Sequence, residues 1–321
     1  MSGPSDREII LYLCLPVSFK LTILGSSSAT PTSERFFSAQ ILDNGHQYFL
    51  IDCAEGTQIQ MRRLKIRFQK VNHILISHLH GDHFFGLPGL LTTFHLLGRD
   101  QVLHLYAPAA LQSVLEQLFT ISATRLVYPL EFHAVDPLVQ AVIYEDKHLT
   151  IESIPLEHRI PTSGFLFREK AGLRKISKQA IEGLDIPYTE FSKLQHGHDL
   201  ELPDGIVLKN SQVTLDPQPP LSYAYCSDTA YHEPLADMVK GVDHLFHEAT
   251  FLEEDVSLAR EKYHSTARDA ALIAKKAEVK HLWLGHFSAR YKTLEMMLEE
   301  ACPVFENTRL AEEGNTYLLT S

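Results

Sequence analysis

A short cluster of histidine and aspartate residues constrains this sequence more than any other feature. The apolar run 71–77 is typical of a buried strand, and it is followed directly by His78, His80, Asp82 and His83. Imidazole and carboxylate groups bind zinc, and four of them at a strand end are costly to bury without a partner. Side chains two positions apart in an extended chain point the same way, so His78 and His80 can hold one ion. A coincidental polar turn is the alternative, and it leaves the clustering unexplained.

Three later residues extend this candidate site, since each stands at the end of another strand-like run. They are His158, Asp228 and His286, which follow the runs 151–156, 223–227 and 282–285. In layered α/β folds, binding groups converge where strand ends meet at one edge of a sheet. An aspartate can bind two ions through its two carboxylate oxygens, which makes Asp228 a candidate bridge. The sequence therefore predicts a site for two metal ions, built from several strands.

Strands and helices alternate along both halves of the chain, and no linker separates the halves. Strand-like runs occupy residues 19–24, 39–42, 47–52, 71–77, 102–106, 148–154, 164–167, 222–226 and 281–284. Helical stretches occupy residues 55–64, 84–97, 110–119, 265–277 and 292–300. This alternation predicts a single α/β domain of packed layers. Residues 167–222 depart from it, since they contain few large apolar side chains, and they are expected to leave the core as an excursion.

Charge is distributed unevenly over the chain. The 321 residues include 29 Lys plus Arg and 40 Asp plus Glu, a formal net charge of −11, so the average surface repels phosphate. The first part of the excursion reverses this sign, with one acid and five basic residues: Arg168, Lys170, Arg174, Lys175 and Lys178. A second basic run lies at residues 62–70. Both are candidates for binding a nucleic-acid backbone, and a solvated basic surface is the alternative for each.

The four cysteines and the apolar segments exclude several other classes of protein. No pair of cysteines has the CxxC spacing, which argues against a zinc ribbon, a dithiol redox motif or a secreted disulfide framework. No run of 18 or more apolar residues is present in the sequence. Residues 9–17 are apolar but short, are interrupted by Pro16 and lack a basic segment before them, so no signal peptide is predicted. We expect a cytoplasmic protein that does not enter the membrane.

Further motifs carry a resemblance to a known family. The HxHxDH sequence at residues 78–83 is similar to the signature of the metallo-β-lactamase superfamily. Residues 52–58, the HEAT sequence at 247–250, the HST sequence at 264–266 and residues 285–291 resemble the ribonuclease Z family of tRNA 3′-processing endonucleases. The resemblance extends from residue 19 to the C-terminus. It implies an αβ/βα four-layer sandwich forming one domain over residues 1–321, with an inserted flexible arm at residues 168–210 that binds tRNA.

The resemblance also implies a complete set of metal ligands. Two zinc ions per subunit would be held by two groups and a shared aspartate: His78, His80 and His158; Asp82, His83 and His286; and Asp228 between them. Mn²⁺ accepts similar ligands and is the alternative metal. Such a pair of ions suits phosphodiester hydrolysis, because it lowers the pKa of a water molecule and offsets charge on the phosphate.

Two residues are predicted to carry out the proton transfers, and a third is predicted to position one of them. Asp82 would orient and deprotonate the attacking water. His264 is the candidate general acid, because imidazole titrates near neutral pH, and Glu248 would hold its ring. The alternative for His264 is a capping role before the helical stretch that starts at residue 265.

The function implied by the resemblance is removal of the 3′ trailer from precursor tRNA by a homodimer, leaving a 3′-hydroxyl on the tRNA and a 5′-phosphate on the trailer. The residues expected to bind RNA are Arg35, Arg168, Lys170, Arg174, Lys175 and Lys178. The family's PxKxRN loop is altered at residues 31–36, where Ser33 and Phe36 replace the Lys and Asn; this predicts changed discrimination at the tRNA 3′ end. The alternatives are a superfamily hydrolase of a small phosphodiester or ester, and an RNA-binding relative without activity.

The remaining histidines give weaker signals. His247 has similar chances of a functional role and of packing in the core. His196 and His198 form a second HxH pattern, but no apolar strand precedes it, so a solvated loop is the better interpretation. The others, such as His95, His133 and His281, are expected to be satisfied core or surface residues rather than ligands.

Overall fold

The computed structural model describes residues 19–184, 186–202 and 205–320. The segment 9–17, for which no signal peptide is predicted, lies outside these residues. The chain divides into two compact units. Of the described residues, the larger unit contains those up to Glu145, Thr150–Arg168 and those from Leu221 onward, and the smaller unit contains Asp146–Leu149 and those within Glu169–Pro220.

The larger unit is built on two seven-stranded sheets. The first has the order β18-β1-β2-β3-β4-β5-β6, with these strands: β1 Lys20–Gly25, β2 Ala39–Asp43, β3 Tyr48–Ile51, β4 Val71–Leu75, β5 Leu103–Ala107, β6 Leu130–Ala134 and β18 Thr316–Leu318. Strands β1 to β3 pair antiparallel, with a turn at Asn44 and Gly45 between β2 and β3, and β3 to β6 pair parallel.

The second sheet has the order β17-β16-β15-β14-β9-β8-β7. Its strands are β7 Val142–Glu145, β8 Leu149–Leu156, β9 Thr162–Glu169, β14 Ser222–Cys226, β15 His244–Glu248, β16 His281–Gly285 and β17 Thr308–Leu310. Strands β14 to β17 are parallel, and β9 runs antiparallel to β14. The four parallel strands therefore end at one edge of this sheet.

The two sheets face each other, and helices cover their outer faces. Phe49 of β3 packs edge-on against Phe167 of β9, with ring centroids 5.6 Å apart, and Tyr223 of β14 donates a hydrogen bond to Gln40 of β2. One outer cluster includes α1 (Thr57–Arg63), α3 (Leu87–Leu96) and α4 (Ala110–Ile121); the other includes α7 (Leu235–Met238), α9 (Ala267–Lys276) and α10 (Glu295–Ala301). The expected αβ/βα sandwich is confirmed. Helices α2 (Gly81–Phe84) and α8 (Val256–Lys262) flank the strand ends.

Strand β15 shows why the sequence pattern missed some elements. All five of its residues are buried, yet His244, His247 and Glu248 break the apolar run by which a buried strand is recognised. Strands β6, β7, β17 and β18 were missed as well. They lie at or near sheet edges and have partly exposed side chains, so their apolar pattern is weak.

The smaller unit has its own hydrophobic cluster. Leu194, Leu200 and Val213 are buried together, and partly buried apolar side chains surround them. Its elements are β10 (Lys175–Ile176), α5 (Phe191–Gln195), β11 (Leu200–Glu201), β12 (Val207–Leu208), α6 (Asn210–Val213) and β13 (Thr214–Leu215). The apolar residues are irregularly spaced, which is why periodicity did not reveal them. The unit continues past residue 210, and Arg168 belongs to β9 of the larger unit.

Two further expectations concern cysteines and membranes. The cysteines of the described residues, Cys53, Cys226 and Cys302, are free. Among the same residues, no helix has both the length and the apolar character that crossing a membrane requires.

Candidate metal centre and active site

Seven polar side chains gather just beyond the carboxyl ends of strands from both sheets. They follow β4, β8, β14 and β16, and they are the residues indicated by the sequence: His78, His80, Asp82, His83, His158, Asp228 and His286. Their ligand atoms form two groups, each compact enough to surround one ion. The structure thus brings together residues from distant parts of the chain.

The first group places three imidazoles around one oxygen of Asp228. His80 Nδ1 lies 3.0 Å from His78 Nε2 and 3.2 Å from His158 Nε2. Asp228 Oδ2 lies 3.6 Å from both His78 Nε2 and His158 Nε2. Two ligands of a tetrahedral zinc ion lie about 3.3 Å apart, because metal–nitrogen bonds are about 2.0–2.1 Å long. These separations therefore fit a single ion.

The second group surrounds the other oxygen of the same aspartate. Asp228 Oδ1 lies 3.1 Å from His83 Nε2 and 3.0 Å from His286 Nε2, and these two nitrogens are 3.3 Å apart. Asp82 Oδ2 is farther away, at 3.7 Å from His83 Nε2 and 3.9 Å from His286 Nε2. The two oxygens of Asp228 thus face one group each, as expected of a bridging ligand.

The electrostatics of the site favour a bound cation. Burial raises the pKa of Asp228, but the neighbouring histidines, His286 first, outweigh burial and lower that pKa well below its ordinary range. Burial lowers the pKa of His286, but Asp228 outweighs burial and raises it to about 10. Asp228 and Asp52 together raise the pKa of His83 in the same way. The buried carboxylates therefore attract protons to these rings, and a divalent cation fits the same donor set by displacing those protons.

Asp52 orients one of the ligands and was not given a role from sequence. It is buried directly after β3, and its Oδ2 lies 2.7 Å from His83 Nδ1. Tyr225 donates to the same oxygen at 2.7 Å, and the Ser77 main-chain NH donates to Oδ1 at 2.8 Å. A carboxylate that accepts the second N–H of a ligand histidine fixes the ring and leaves Nε2 for the metal. Like the ligands, Asp52 lies at the end of a strand, and this position was the signal in the sequence that could have indicated its role.

Two other ligand histidines are oriented by the main chain and by a hydroxyl. His158 Nδ1 donates to the Tyr263 carbonyl at 2.9 Å, and His286 Nδ1 lies 2.9 Å from Thr250 Oγ1. The Thr250 hydroxyl in turn donates to Glu248 at 2.6 Å. In both cases the hydrogen bond occupies Nδ1, so Nε2 is the nitrogen that faces the metal group and would bind the ion.

The pair of Glu248 and His264 lies beside the second group. His264 Nδ1 is 2.7 Å from Glu248 Oε1, and a ligand atom of His264 lies within 4.8 Å of those of Asp228 and His286. Glu248 is fully buried and also accepts main-chain N–H groups, including those of Thr229 at 2.8 Å and Ser265 at 3.1 Å. This network holds the His264 ring in one orientation with its second nitrogen available.

The charge states of this pair depend on each other. Burial lowers the pKa of His264, but the Glu248 carboxylate outweighs burial and raises it above its ordinary value. Burial raises the pKa of Glu248, but His264 outweighs burial and lowers it. Helix α9 begins with Thr266 as its N-cap, whose hydroxyl accepts from the Asp269 main chain. The capping residue is therefore Thr266 and not His264.

The loop at residues 26–36, which includes the altered residues 31–36, contacts the candidate site. The Ala29 main-chain NH donates to Asp82 Oδ2 at 2.7 Å. Arg35 Nη2 donates to the Tyr291 carbonyl at 2.9 Å, so part of this guanidinium holds the loop against the chain beyond β16. Binding of RNA by Arg35 stays a prediction.

The other basic residues expected to bind RNA differ in their surroundings. Arg168 lies on β9, where its Nε is 3.8 Å from Glu152. Arg174 forms an ion pair with Asp216 inside the smaller unit. The remaining three are exposed: Lys170, Lys175 and Lys178.

The histidines with weaker signals lie outside the two groups. His247 is fully buried, and its Nδ1 donates to the Glu248 carbonyl at 2.7 Å. His196 and His198 are exposed in the smaller unit. Among the described residues, none of these three belongs to a group that could hold an ion.

Comparisons with known proteins identify close relatives. The chain is 45% identical over 296 residues to a ribonuclease Z of Bacteroides fragilis, which covers 92% of this chain and 97% of the relative. It is 44% identical to a ribonuclease Z of Parabacteroides distasonis with the same coverage. The family described as anti-Pycsar protein Apyc1 matches residues 19–175.

Solved structures agree with these relatives. The human tRNase Z, short form, superposes with a TM-score of 0.68 at 25% identity and covers 94% of this chain and all of that chain. The metallo-β-lactamase fold protein YhfI of Bacillus subtilis superposes with a TM-score of 0.66 at 16% identity, covering 94% of this chain and 99% of that one.

The two facing sheets and the ligand groups at their strand ends define a protein of the metallo-β-lactamase fold. Within that fold, the identity to curated relatives over nearly their whole length decides the family. The chain belongs to the ribonuclease Z family.

Proposed function

We propose that this chain is an endoribonuclease that removes the 3′ trailer from precursor tRNA. The observation that carries the proposal is the position of Asp228, whose two carboxylate oxygens face two separate groups of ligand atoms. The family membership supplies the substrate class. The direct test is incubation with a precursor tRNA that carries a 3′ trailer. We expect one cut, a 3′-hydroxyl on the tRNA and a 5′-phosphate on the trailer; an intact precursor with every divalent metal tried would refute the proposal.

We propose that the ligand groups hold two Zn²⁺ ions, with Mn²⁺ as the alternative metal. One ion would be held by His78, His80 and His158, the other by Asp82, His83 and His286, and Asp228 would be shared between them. When bound, the ions supply an activated water and positive charge beside the phosphate oxygens.

The protein's own residues move the protons. Burial raises the pKa of Asp82, but His286 and His83 outweigh burial and lower it, so this carboxylate is ionised and can accept a hydrogen bond from the attacking water. As the water gives a proton to Asp82 and its oxygen bonds to phosphorus, the bond from phosphorus to the tRNA 3′-oxygen breaks. His264 donates a proton to that leaving oxygen, and Glu248 holds the ring and stabilises its charged form.

Replacing Glu248 with glutamine is expected to change the pH dependence of cleavage. His264 must be protonated to donate, so activity falls as pH rises through its pKa. Glu248 raises that pKa, so E248Q shifts the alkaline limb of the kcat profile to lower pH. The measurement is kcat against pH for wild type and E248Q under saturating metal. An alkaline limb at the same pH in both proteins would contradict the proposed pair.

We propose that the smaller unit contributes to binding the RNA backbone. Lys175 and Lys178 are exposed on it, in a chain whose net charge otherwise opposes phosphate binding. The exposed basic residues 62–70 of the larger unit add a second candidate surface. Such contacts recognise a folded RNA through its backbone and shape.

Removing the smaller unit is expected to abolish precursor tRNA cleavage but not hydrolysis of a small phosphodiester. Arg168 of β9 pairs with Ser222 of β14 in an antiparallel register, so an Asn-Gly turn inserted between Glu169 and Leu221 can close a hairpin. The measurement is kcat/KM for a precursor tRNA and for bis(p-nitrophenyl) phosphate. Equal loss on both substrates, or full cleavage of the tRNA without this unit, would contradict RNA binding by it.

A finer variant keeps the unit folded. The double substitution K175E/K178E is expected to raise KM for the tRNA by about tenfold and to change its salt dependence. The matched control is K240E/K275E, which makes the same change of charge at two exposed lysines of the larger unit.

We propose that the protein acts in the cytoplasm as a homodimer, as the resemblance implies. Sedimentation equilibrium of the purified protein measures the oligomeric state, and a monomer at micromolar concentration would count against the dimer.

A further inference from the structure

A separate cluster of ligand-type side chains lies on β5 and β6. These strands are parallel, and their register pairs His104 with Glu131 and Tyr106 with His133. Alternate residues of a strand share a face, so His104, Glu131 and His133 project from the same face of the sheet. The pairing of β4 with β5 places His104 beside His73, which lies on β4 before the turn that carries His78. The cluster is therefore distinct from the centre at the strand ends.

The ligand atoms of this cluster converge on one point. His104 Nδ1 lies 3.1 Å from His133 Nε2 and 3.3 Å from Glu131 Oε2. All three ligand atoms lie within 4.8 Å of one another. These separations match the spacing of about 3.3 Å between ligands of a tetrahedral zinc ion, as in the groups around Asp228.

Aromatic stacking fixes the orientation of both imidazoles. The His73 ring stacks on His104, with centroids 5.0 Å apart and planes 11° from parallel. The Tyr106 ring stacks on His133 at 4.5 Å and 12°. The Glu131 side chain is 54% exposed, so an ion can enter from solvent. A site whose ligands are already oriented binds with less loss of side-chain entropy.

Hydrogen bonding alone explains this arrangement less well. One proton on His104 Nδ1 has to be shared between His133 Nε2 and Glu131, and no second proton can lie between the same atoms. A cation satisfies all three groups at once. Two imidazoles and a carboxylate are a ligand set of zinc, which completes its coordination with water.

We propose that His104, Glu131 and His133 bind one divalent transition-metal ion of the Zn²⁺ class, separate from the two ions of the active centre. Sequence patterns predicted a satisfied core or surface residue for His133, and the geometry points to a ligand instead. Because the ligands come from two strands, the ion would cross-link β6, an edge strand of the first sheet, to β5. Its expected effect is on stability rather than on cleavage.

The test compares the metal content of full-length variants. Wild type, H104A/H133A and the matched control H196A/H198A are equilibrated with buffered free Zn²⁺, and bound zinc is measured by mass spectrometry. We expect H104A/H133A to bind one equivalent less than wild type and to keep precursor tRNA cleavage, and the control to bind as much as wild type. The Tm of wild type should rise with Zn²⁺ more than that of H104A/H133A. If the double variant folds poorly, E131Q takes its place in the comparison, because it removes less volume. E131Q should bind zinc at this site more weakly than wild type.

A D228A background separates this site from the active centre. The zinc ion bound by His104, Glu131 and His133 should still be present in D228A and absent from D228A/H104A/H133A, whether or not the active centre binds metal as proposed. Equal zinc content in wild type, H104A/H133A and E131Q, with equal response of Tm to Zn²⁺, would overturn the inference.

Discussion

Replacing His264 with alanine is expected to lower the rate of precursor tRNA cleavage by about 100- to 10,000-fold, the range for loss of a general acid, while metal content stays unchanged. His264 is held by Glu248 at 2.7 Å, and although its ligand atom lies within 4.8 Å of those of Asp228 and His286, the two ligand groups that share Asp228 are complete without it. Its removal therefore takes away a proton donor and leaves both proposed ions in place. The measurements are single-turnover cleavage and zinc per chain.

The leaving group provides a sharper form of this experiment. A tRNA 3′-oxygen is strongly basic and needs a proton as it departs, whereas p-nitrophenolate leaves without one. H264A should therefore lose much less activity on bis(p-nitrophenyl) phosphate than on precursor tRNA. The matched control is H281A, since His281 is the first residue of β16 and lies away from the carboxyl ends of the strands, where the ligands gather. Loss of zinc in H264A, or equal loss on both substrates, would rule out the general-acid role.

Replacing Asp228 with alanine is expected to reduce metal content at both positions together and to abolish cleavage. Its two oxygens face two groups of ligands, so one substitution removes a ligand from each proposed ion. Residues that only orient a ligand are worth about 10–100-fold in metal affinity, and a direct ligand to both ions should be worth more than that. Zinc affinity of each site, measured by competition with a chelator, checks this result.

Asp52 offers a graded comparison for that variant. It contacts His83 directly and reaches His78 only through the Ser77 hydroxyl, so D52N should weaken binding at the second position by about 10–100-fold and at the first position by less. Circular dichroism and Tm of the metal-free proteins control for misfolding. If D228A kept both ions, or lost only one, the bridging assignment would be wrong.

Much of the fold and of the centre could be predicted because their signals are local. Buried strands such as β4 and β14 are short apolar runs, and the HxHxDH turn concentrates four ligand types in one place. Asp52 stands at a strand end and within the motif at residues 52–58, but its role was not predicted because its contact with His83 is formed only in the tertiary structure. The cluster of His104, Glu131 and His133 was missed because its members belong to two strands whose pairing is not visible in the sequence.

The identity and order of the chemical groups were determined by the sequence itself: which residues can bind metal, which runs form strands, and where charge reverses sign. Only the tertiary structure decided which oxygen of Asp228 faces which histidines, that His264 rests against Glu248, and that His104 meets His133. The physical reason is that metal and proton chemistry depends on separations of a few ångströms between side chains distant along the chain. Those separations are set by strand pairing and by the packing of one sheet against the other.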